Sequence, residues 1–264
     1  KQVLLRRMLM GLTSHYPIDR SSIVNMPEIV KPEVIPIYKD YSISNNINIV
    51  PCFMSSFQWN QYLSEYTKEK LRNLKKLQKK NIYDDKNGDF HMRTRQNCNI
   101  VYEDDSFRKR GSSIEDKLKV YETMKKSGNF SMDKSLQIIS PKFYEIMKRI
   151  SNYIDDDIPT GKILYYSDFR QDSGSEAFEQ ILRDNGYEKY DSRENNINDL
   201  VSKQSKKKRF TFVTGLEDKD DKRINKEDFN HPENIRGEYI QIMIISSAGA
   251  EGISLTGVRQ AHIM

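Results

Sequence analysis

Two cysteines, Cys52 and Cys98, in 264 residues are too few for a disulfide framework or a zinc cluster. They read as reduced thiols. No apolar run approaches the roughly 18–20 residues of a membrane span. Neither a Gly-x-x-x-x-Gly-Lys-Ser/Thr loop nor an Asp-Glu pair behind an apolar strand occurs. The parts that grip the β- and γ-phosphates of a nucleoside triphosphate, and the Mg²⁺ between them, are therefore not expected within these residues. His15, His91 and His231 have no companions at metal-ligand spacing. His262 lies in an apolar run and reads as a core residue before it reads as a base. The start, Lys1-Gln-Val-Leu-Leu-Arg-Arg-Met8, has the pattern of an amphipathic helix and not of a secretory signal. With no initiator Met, the chain is expected to be a piece of a longer protein.

Charge, by contrast, is plentiful and mixed: 43 Lys and Arg against 38 Asp and Glu, a net +5. Such an excess permits nucleic-acid binding without arguing for it. A mean hydropathy of −0.78 points to long polar insertions. The runs Asn45-Asn46, Asn195-Asn196 and Lys206-Lys207-Lys208 hint at an AT-rich genome.

Residues 1 to about 130 do not read as one regular domain. Gln2 to Leu12 is helical, and Pro17, Pro27, Pro32, Pro36 and Pro51 punctuate the chain after it. Glu33 to Tyr38 and Ile47 to Phe53 read as short extended pieces. Ser55-Ser56 caps a helix from Phe57 to about Lys80, with Trp59, Leu63, Tyr66, Leu74 and Leu77 at helical spacing and a Lys-rich tail read as a solvated face. Asp84 to Asp89 is a polar loop, and Ile114 to Lys126 another helix.

From Leu136 the pattern changes to strands alternating with helices. Pro141 to Ile154 reads as a helix, and Asp155-Asp156-Asp157 as a solvated acidic loop that lacks metal-ligand spacing. Strands are expected at Lys162–Ser167, Arg209–Thr214, Ile240–Ile245 and from about Val258. Helices are expected at Ser175–Asn185, closed by Gly186, and at Asp218–Asp228. Repeated β-α-β units imply an α/β fold with a parallel sheet and helices on both faces. Such a sheet places its functional loops at the carboxyl ends of its strands. Three segments sit there. In Tyr165-Tyr166-Ser167-Asp168-Phe169-Arg170, the Ser167 hydroxyl and the helix start at Gly174-Ser175 suit a phosphate oxygen, or Ser167 only caps a turn. Val213-Thr214-Gly215 is the second. The third is Ser246-Ser247-Ala248-Gly249-Ala250-Glu251-Gly252, whose small residues allow a ligand near the backbone and whose serines could grip a phosphodiester. Glu251 and Ser254 could face a nucleotide; Glu251 could equally pair with Arg259.

As a unit, Ser246-Ser-Ala-Gly-Ala-Glu-Gly-Ile-Ser-Leu255 resembles motif V of the second RecA-like lobe of superfamily 2 helicases, especially the Snf2-like branch. Four further segments resemble helicase-like NTPases of large nucleocytoplasmic DNA viruses, the family that includes poxvirus nucleoside triphosphatase I and the poxvirus early transcription factor small subunit. They are Leu5-Arg-Arg-Met-Leu-Met-Gly-Leu-Thr-Ser-His-Tyr-Pro17, the box Arg93-Thr-Arg-Gln-Asn-Cys-Asn-Ile-Val-Tyr102, the motif IV-like Gly161-Lys-Ile-Leu-Tyr-Tyr-Ser-Asp-Phe169, and the turn Asp228-Phe-Asn-His-Pro-Glu-Asn234.

That resemblance implies a linker and insertion at 1–130, following a first lobe that lies elsewhere. A second RecA-like lobe would span 131–264 and stop before motif VI, so no catalytic residue or metal ligand is expected within the chain. It implies ATP and Mg²⁺ in the cleft of the full-length parent, the missing first lobe as a partner, and DNA or RNA across both lobes. Ser167, Thr214, Gly215, Ser246, Ser247, Ala248 and Gly249 would lie on the nucleic-acid side, and Glu251, Gly252 and Ser254 on the nucleotide side. A viral RNA polymerase or transcription factors would be further partners, in virion and host cytoplasm. The rival readings are a helicase-like scaffold without hydrolysis and an RNA helicase for mRNA processing.

Overall fold

A computed structural model describes residues 50–79, 91–108, 112–152, 154–155, 158–159, 161–215, 217–250 and 253–264. The chain divides into two units at Val50/Pro51, and the second, Pro51–Met264, holds all the architecture below. The elements expected at Gln2–Leu12, Glu33–Tyr38 and Asp84–Asp89 lie outside the described residues, as do Glu251 and Gly252.

The centre is a five-stranded sheet, all of whose pairings are parallel. After a small hairpin, β1 (Ile154–Asp155) with β2 (Ile158–Pro159), come β3 (Lys162–Tyr166), β4 (Glu188–Lys189), β5 (Arg209–Val213), β6 (Ile242–Ile245) and β7 (Val258–Ile263). Their order is β4-β5-β6-β3-β7. β5 and β6 are wholly buried, as short β-branched and aromatic runs between two layers must be. Side chains alternate. Ile163, Tyr165, Phe210, Phe212, Ile242 and Ile244 enter one core, while Leu164, Tyr166, Val213, Met243 and Ile245 pack in the other. The sheet is thus the RecA-like α/β arrangement expected from the sequence.

Helices α3 (Ile114–Ser127), α5 (Pro141–Asn152) and α6 (Ser175–Asp184) cover the first face. There Tyr165 and Phe178 rings lie 4.2 Å apart and Phe143 stacks on Phe178 at 5.5 Å. Helices α7 (Ile197–Ser202) and α8 (Lys219–Phe229) bring Ile197, Leu200 and Phe229 to the second face. Residues 100–130, read from the sequence as linker, supply Ile100, Tyr102, Phe107, Tyr121, Met124 and Phe130 to the first core. Between α3 and α5 in the chain lies α4 (Leu136–Ile139), and upstream α1 (Ser56–Lys79) packs on α2 (Met92–Asn97).

Local chemistry sets the ends. The Ser55 hydroxyl accepts from the Gln58 N–H at 3.0 Å at the start of α1. Ser113 and Asp116 form a capping box on α3, which closes at Gly128 with φ 72°. Two expectations shift. The helix from Pro141 stops at Asn152, and Ile154–Asp155 instead pairs with Ile158–Pro159; Asp156 and Asp157 lie outside the described residues. The strand expected from Ile240 starts at Ile242, because the Asn234 carboxamide takes the Ile240 N–H at 2.9 Å.

Lys162 is a full charge inside this fold, with no solvent exposure. Its ammonium donates to the Phe229 carbonyl at 2.6 Å and lies 4.6 Å from the centre of that ring. Burial pulls its pKa down to about 8, against a smaller upward pull from Glu238. The unfolded chain therefore holds the proton more tightly, and stability contributed by this group rises as pH climbs from about 8 toward 10.5. Lys162→Met is expected to stabilise the protein at pH 7 by about 1–2 kcal/mol. The Phe229 carbonyl keeps the Asn234 amide at 3.0 Å, so the substitution orphans no acceptor. Urea unfolding should show this gain shrinking as pH rises past about 8; a gain independent of pH would mean that the amine is hydrated.

Candidate nucleic-acid interface at the carboxyl edge of the sheet

Tyr166, Ile245 and Val213 sit side by side in register, so the next residues, Ser167, Ser246 and Thr214, end three neighbouring strands in one row. The Ser167 N–H donates to the Ile245 carbonyl at 3.2 Å and ties the row together. All three are buried. From β3 the chain leaves toward α6 on the first face. From β6 it leaves on the second, where Ile253 and Leu255 pack. Chain departing in opposite directions from adjacent strands opens a crevice at their carboxyl ends, the usual ligand position in an open α/β sheet.

The three hydroxyls are not equivalent. Ser246 Oγ is buried with no hydrogen-bond partner among the described residues, and an orphaned hydroxyl there is an unfilled valence that a ligand could use. Ser167 Oγ accepts the Phe169 N–H at 3.2 Å, the turn-capping role that the sequence left open. Thr214 gives its N–H and its hydroxyl to the Glu217 carboxylate at 2.6 and 2.8 Å. That puts a carboxylate beside Thr214 and exposed Gly215, which favours no phosphate there.

The loop after β6 opens as a short helix, α9 (Ser247–Ala250). Ser247 is exposed. At Gly249, a Cβ would run into the Val213 carbonyl oxygen of β5. Its smallness serves packing against the sheet. Ala248 sits between them in α9, and Gly249 donates to the Ser246 carbonyl at 2.8 Å. Ser254 is exposed, and its carbonyl already accepts from Asn230 at 2.8 Å.

The loop after β3 holds another departure. The Ser175 and Glu176 N–H groups at the start of α6 go to the Phe169 and Arg170 carbonyls, both at 3.0 Å. These donors are used by the loop itself, so a phosphate at that helix start does not receive them. Gly174 is compelled here, because a Cβ would meet the Phe169 carbonyl.

Sequence reasoning missed what fixes this loop. The box at residues 93–102, and the residues just after it, fasten it from outside. The Asn99 amide donates to the Ser173 carbonyl at 3.1 Å; the Tyr102 hydroxyl and Arg108, at 3.1 Å, both donate to the Asp172 carbonyl. Lys117 reaches the Asp172 and Glu176 carboxylates, each at 2.9 Å. Arg95 lies 5.2 Å from the centre of the Phe169 ring. The available signal was polar side chains of fixed reach, such as Asn99, between apolar neighbours.

The Asp228–Asn234 turn is likewise structural. Asn230 clamps Ser254 and the Thr256 N–H, and Asn234 holds the Phe229 and Ile240 carbonyls and two N–H groups. His262, on the edge strand β7, is kept neutral by burial, which lowers its pKa to about 4 with help from Arg149. Burial raises the thiols of Cys52 and Cys98, and the two are not joined as a disulfide. Among the described residues no three His, Cys, Asp or Glu side chains gather as a metal site. None of their helices is long and apolar enough to cross a membrane.

No protein-family model matches the chain. Its homologues are proteins of large DNA viruses. Over 167 residues, 52% of the chain, it is 26% identical to a protein of Acanthamoeba polyphaga mimivirus that carries the provisional name ATP-dependent RNA helicase. A second mimivirus protein so named is 28% identical over 125 residues, 47% of the chain. A termination factor NPH-I homolog of African swine fever virus is 42% identical over 60 residues, 23% of the chain. The matched stretches span 14%, 19% and 8% of those proteins' own lengths.

Proposed function

We propose that this chain is the second RecA-like lobe, with a preceding linker and insertion, of a nucleic-acid-dependent ATPase that acts as a helicase or translocase in viral transcription. The observation that carries the proposal is the row of Ser167, Thr214 and Ser246 at the crevice, with the Ser246 hydroxyl buried and unsatisfied. The strand-end geometry suits a ligand with acceptor oxygens, and exposed Ser247 extends that row toward solvent. The names of the homologues support helicase chemistry, ATP as nucleotide and nucleic acid as track, and leave RNA and DNA as alternatives. Within the row, Ser246 and Ser247 carry the phosphodiester contact; Ser167 shapes the loop, and Thr214 is held by Glu217.

Of the expected nucleotide side, Glu251 and Gly252 lie outside the described residues, and the Ser254 carbonyl is taken by Asn230. The phosphate-binding parts are assigned to a first lobe. On this reading residues 1–264 alone hydrolyse no ATP.

The deciding experiment is ATP hydrolysis by the full-length protein with single-stranded DNA, duplex DNA or RNA at one fixed salt concentration. Stimulation by one of them establishes a motor and names its track. No hydrolysis under any condition moves the function to a scaffold. Ser247→Asp should cut the stimulated rate at least about tenfold by setting a carboxylate against phosphate, where like charges cost several kcal/mol. Unfolding and the unstimulated rate should stay unchanged; undiminished stimulation removes this loop from the interface.

A further inference from the structure

The end of β5 holds an anion position that the chain fills itself. The Thr214 N–H and hydroxyl both donate to Glu217 Oε2, at 2.6 and 2.8 Å. Two donors converging on one oxygen at these lengths are charge-assisted bonds, and a phosphate oxygen takes the same kind from a backbone N–H and a hydroxyl. Thr214 is buried and Glu217 half-buried. No lysine, arginine or histidine among the described residues is paired with Glu217, so no neighbouring cation offsets its charge. The acids of the loop after β3 are treated otherwise: Asp172 and Glu176 share Lys117, each at 2.9 Å.

That carboxylate stands in the row of strand ends. Val213 pairs with Ile245, so Thr214 and Ser246 are the next positions on adjacent parallel strands. Ser246 Oγ is buried without a partner among the described residues. Gly249 sets the backbone of α9 against the Val213 carbonyl, one residue before Thr214, with no room for a side chain between them. The orphaned hydroxyl and the occupied donors thus belong to one stretch of the crevice. A phosphodiester entering at Ser246 meets the Glu217 charge, and it reaches the Thr214 donors only when the carboxylate leaves them. The two bonds to Thr214 are the only hydrogen bonds of the Glu217 side chain among the described residues, and one rotation of that side chain releases both.

We infer that Glu217 is a built-in competitor for the phosphodiester: its carboxylate occupies the anion position at the end of β5 and weakens the hold on nucleic acid in the crevice. This role rests on the sheet edge being the nucleic-acid face, and adds the residue that limits affinity there. Like charges brought together at an interface lower affinity, and one misplaced carboxylate is enough to do so. A glutamate three residues after a threonine also closes a turn, as in a capping box. The turn needs an acceptor and not a charge. Glu217→Gln keeps a carbonyl oxygen for both Thr214 donors and removes the charge alone.

The full-length protein would be titrated, by anisotropy, with labelled single-stranded DNA, duplex DNA and RNA of about 20 nucleotides, long enough to cover a site. Glu217→Gln should tighten binding of the preferred strand about three- to tenfold at low salt, the effect of one unit charge near a phosphate at a protein surface. The gain should shrink at high salt, where that repulsion is screened. The urea midpoint should not move. Ser247→Asp tests the sheet edge itself and should weaken binding with or without Glu217→Gln. Unchanged or weaker binding by Glu217→Gln, while Ser247→Asp still weakens it, overturns the role of Glu217 and leaves the sheet edge as the interface. A gain that is equal at low and high salt overturns it too, since a rearranged turn and not a lost charge would be the cause. No binding, or binding that neither substitution alters, overturns both.

Discussion

Gly249→Ala is expected to destabilise the protein by about 2–4 kcal/mol, as overpacking against an atom that cannot yield does. The added Cβ meets the Val213 carbonyl oxygen, with the Val213 carbonyl carbon just behind it at 2.8 Å. Neither is the end of a flexible side chain. Val213 ends β5, which lies between β4 and β6 in a parallel ladder and is buried along its length. Relief must come from α9 lifting off the sheet, which would carry Ser246 and Ser247 with it. Urea unfolding with an unchanged m value is the measurement. A loss under about 0.5 kcal/mol, the range of an ordinary surface change, would show that α9 is not seated on β5. Gly249→Asp therefore cannot report on phosphate repulsion, since it unseats the loop before its charge acts. Ser247→Asp can, because Ser247 is exposed. The contrast separates two reasons for small residues in one loop: Gly249 is small for the sheet, and Ser247 is polar for the solvent side.

How much of this was legible in the sequence depends on the range of the forces involved. The strands at Lys162, Arg209, Ile240 and Val258 were legible because a buried parallel strand needs an apolar or β-branched run and tolerates little else. The row of Ser167, Thr214 and Ser246 was legible one residue at a time, since each comes directly after such a run. What joins them is register, and register depends on partners far away in sequence. The use of the α6 N–H groups by the Phe169 and Arg170 carbonyls was not legible, because it depends on how tightly the intervening turn closes. Gly174 and Gly249 read as glycines near a ligand. The crowding that requires them comes from the Phe169 carbonyl in one case and from another strand in the other. The lysine-rich end of α1 read as a solvated face. Nor was the stacking of His91 on Tyr66 legible, since His91 arrives from beyond the helix.

Arg108→Met should cost about 3–5 kcal/mol, the range for breaking a buried charge network by removing one partner. The guanidinium is fully enclosed, and its two terminal nitrogens are partnered while Nε finds no partner among the described residues. It donates to Asn97 Oδ1 at 3.0 Å, the Ile100 carbonyl at 3.4 Å and the Asp172 carbonyl at 3.1 Å, and it lies 3.3 Å from an Asp105 carboxylate oxygen. The Tyr102 and Phe107 rings sit 4.4 and 5.8 Å from it. Methionine matches the stem and the ring contacts but supplies no donor, so the Asn97 oxygen loses its partner in a dry place. Burial already lifts the Asp105 pKa against the pull of Arg108, and removing the cation removes that pull. The damage should also be directional. Asp172 lies in the loop between β3 and α6, so amide exchange should accelerate first at residues 168–174, and in β5 and β6 only with global unfolding. A loss spread evenly over the sheet would mean that Arg108 stabilises the core in general. A loss concentrated in that loop would make Arg108 the link by which the 93–102 box holds one wall of the crevice. On the proposed function, the same variant should then lower nucleic-acid stimulation of the full-length ATPase without any change at Ser246 or Ser247.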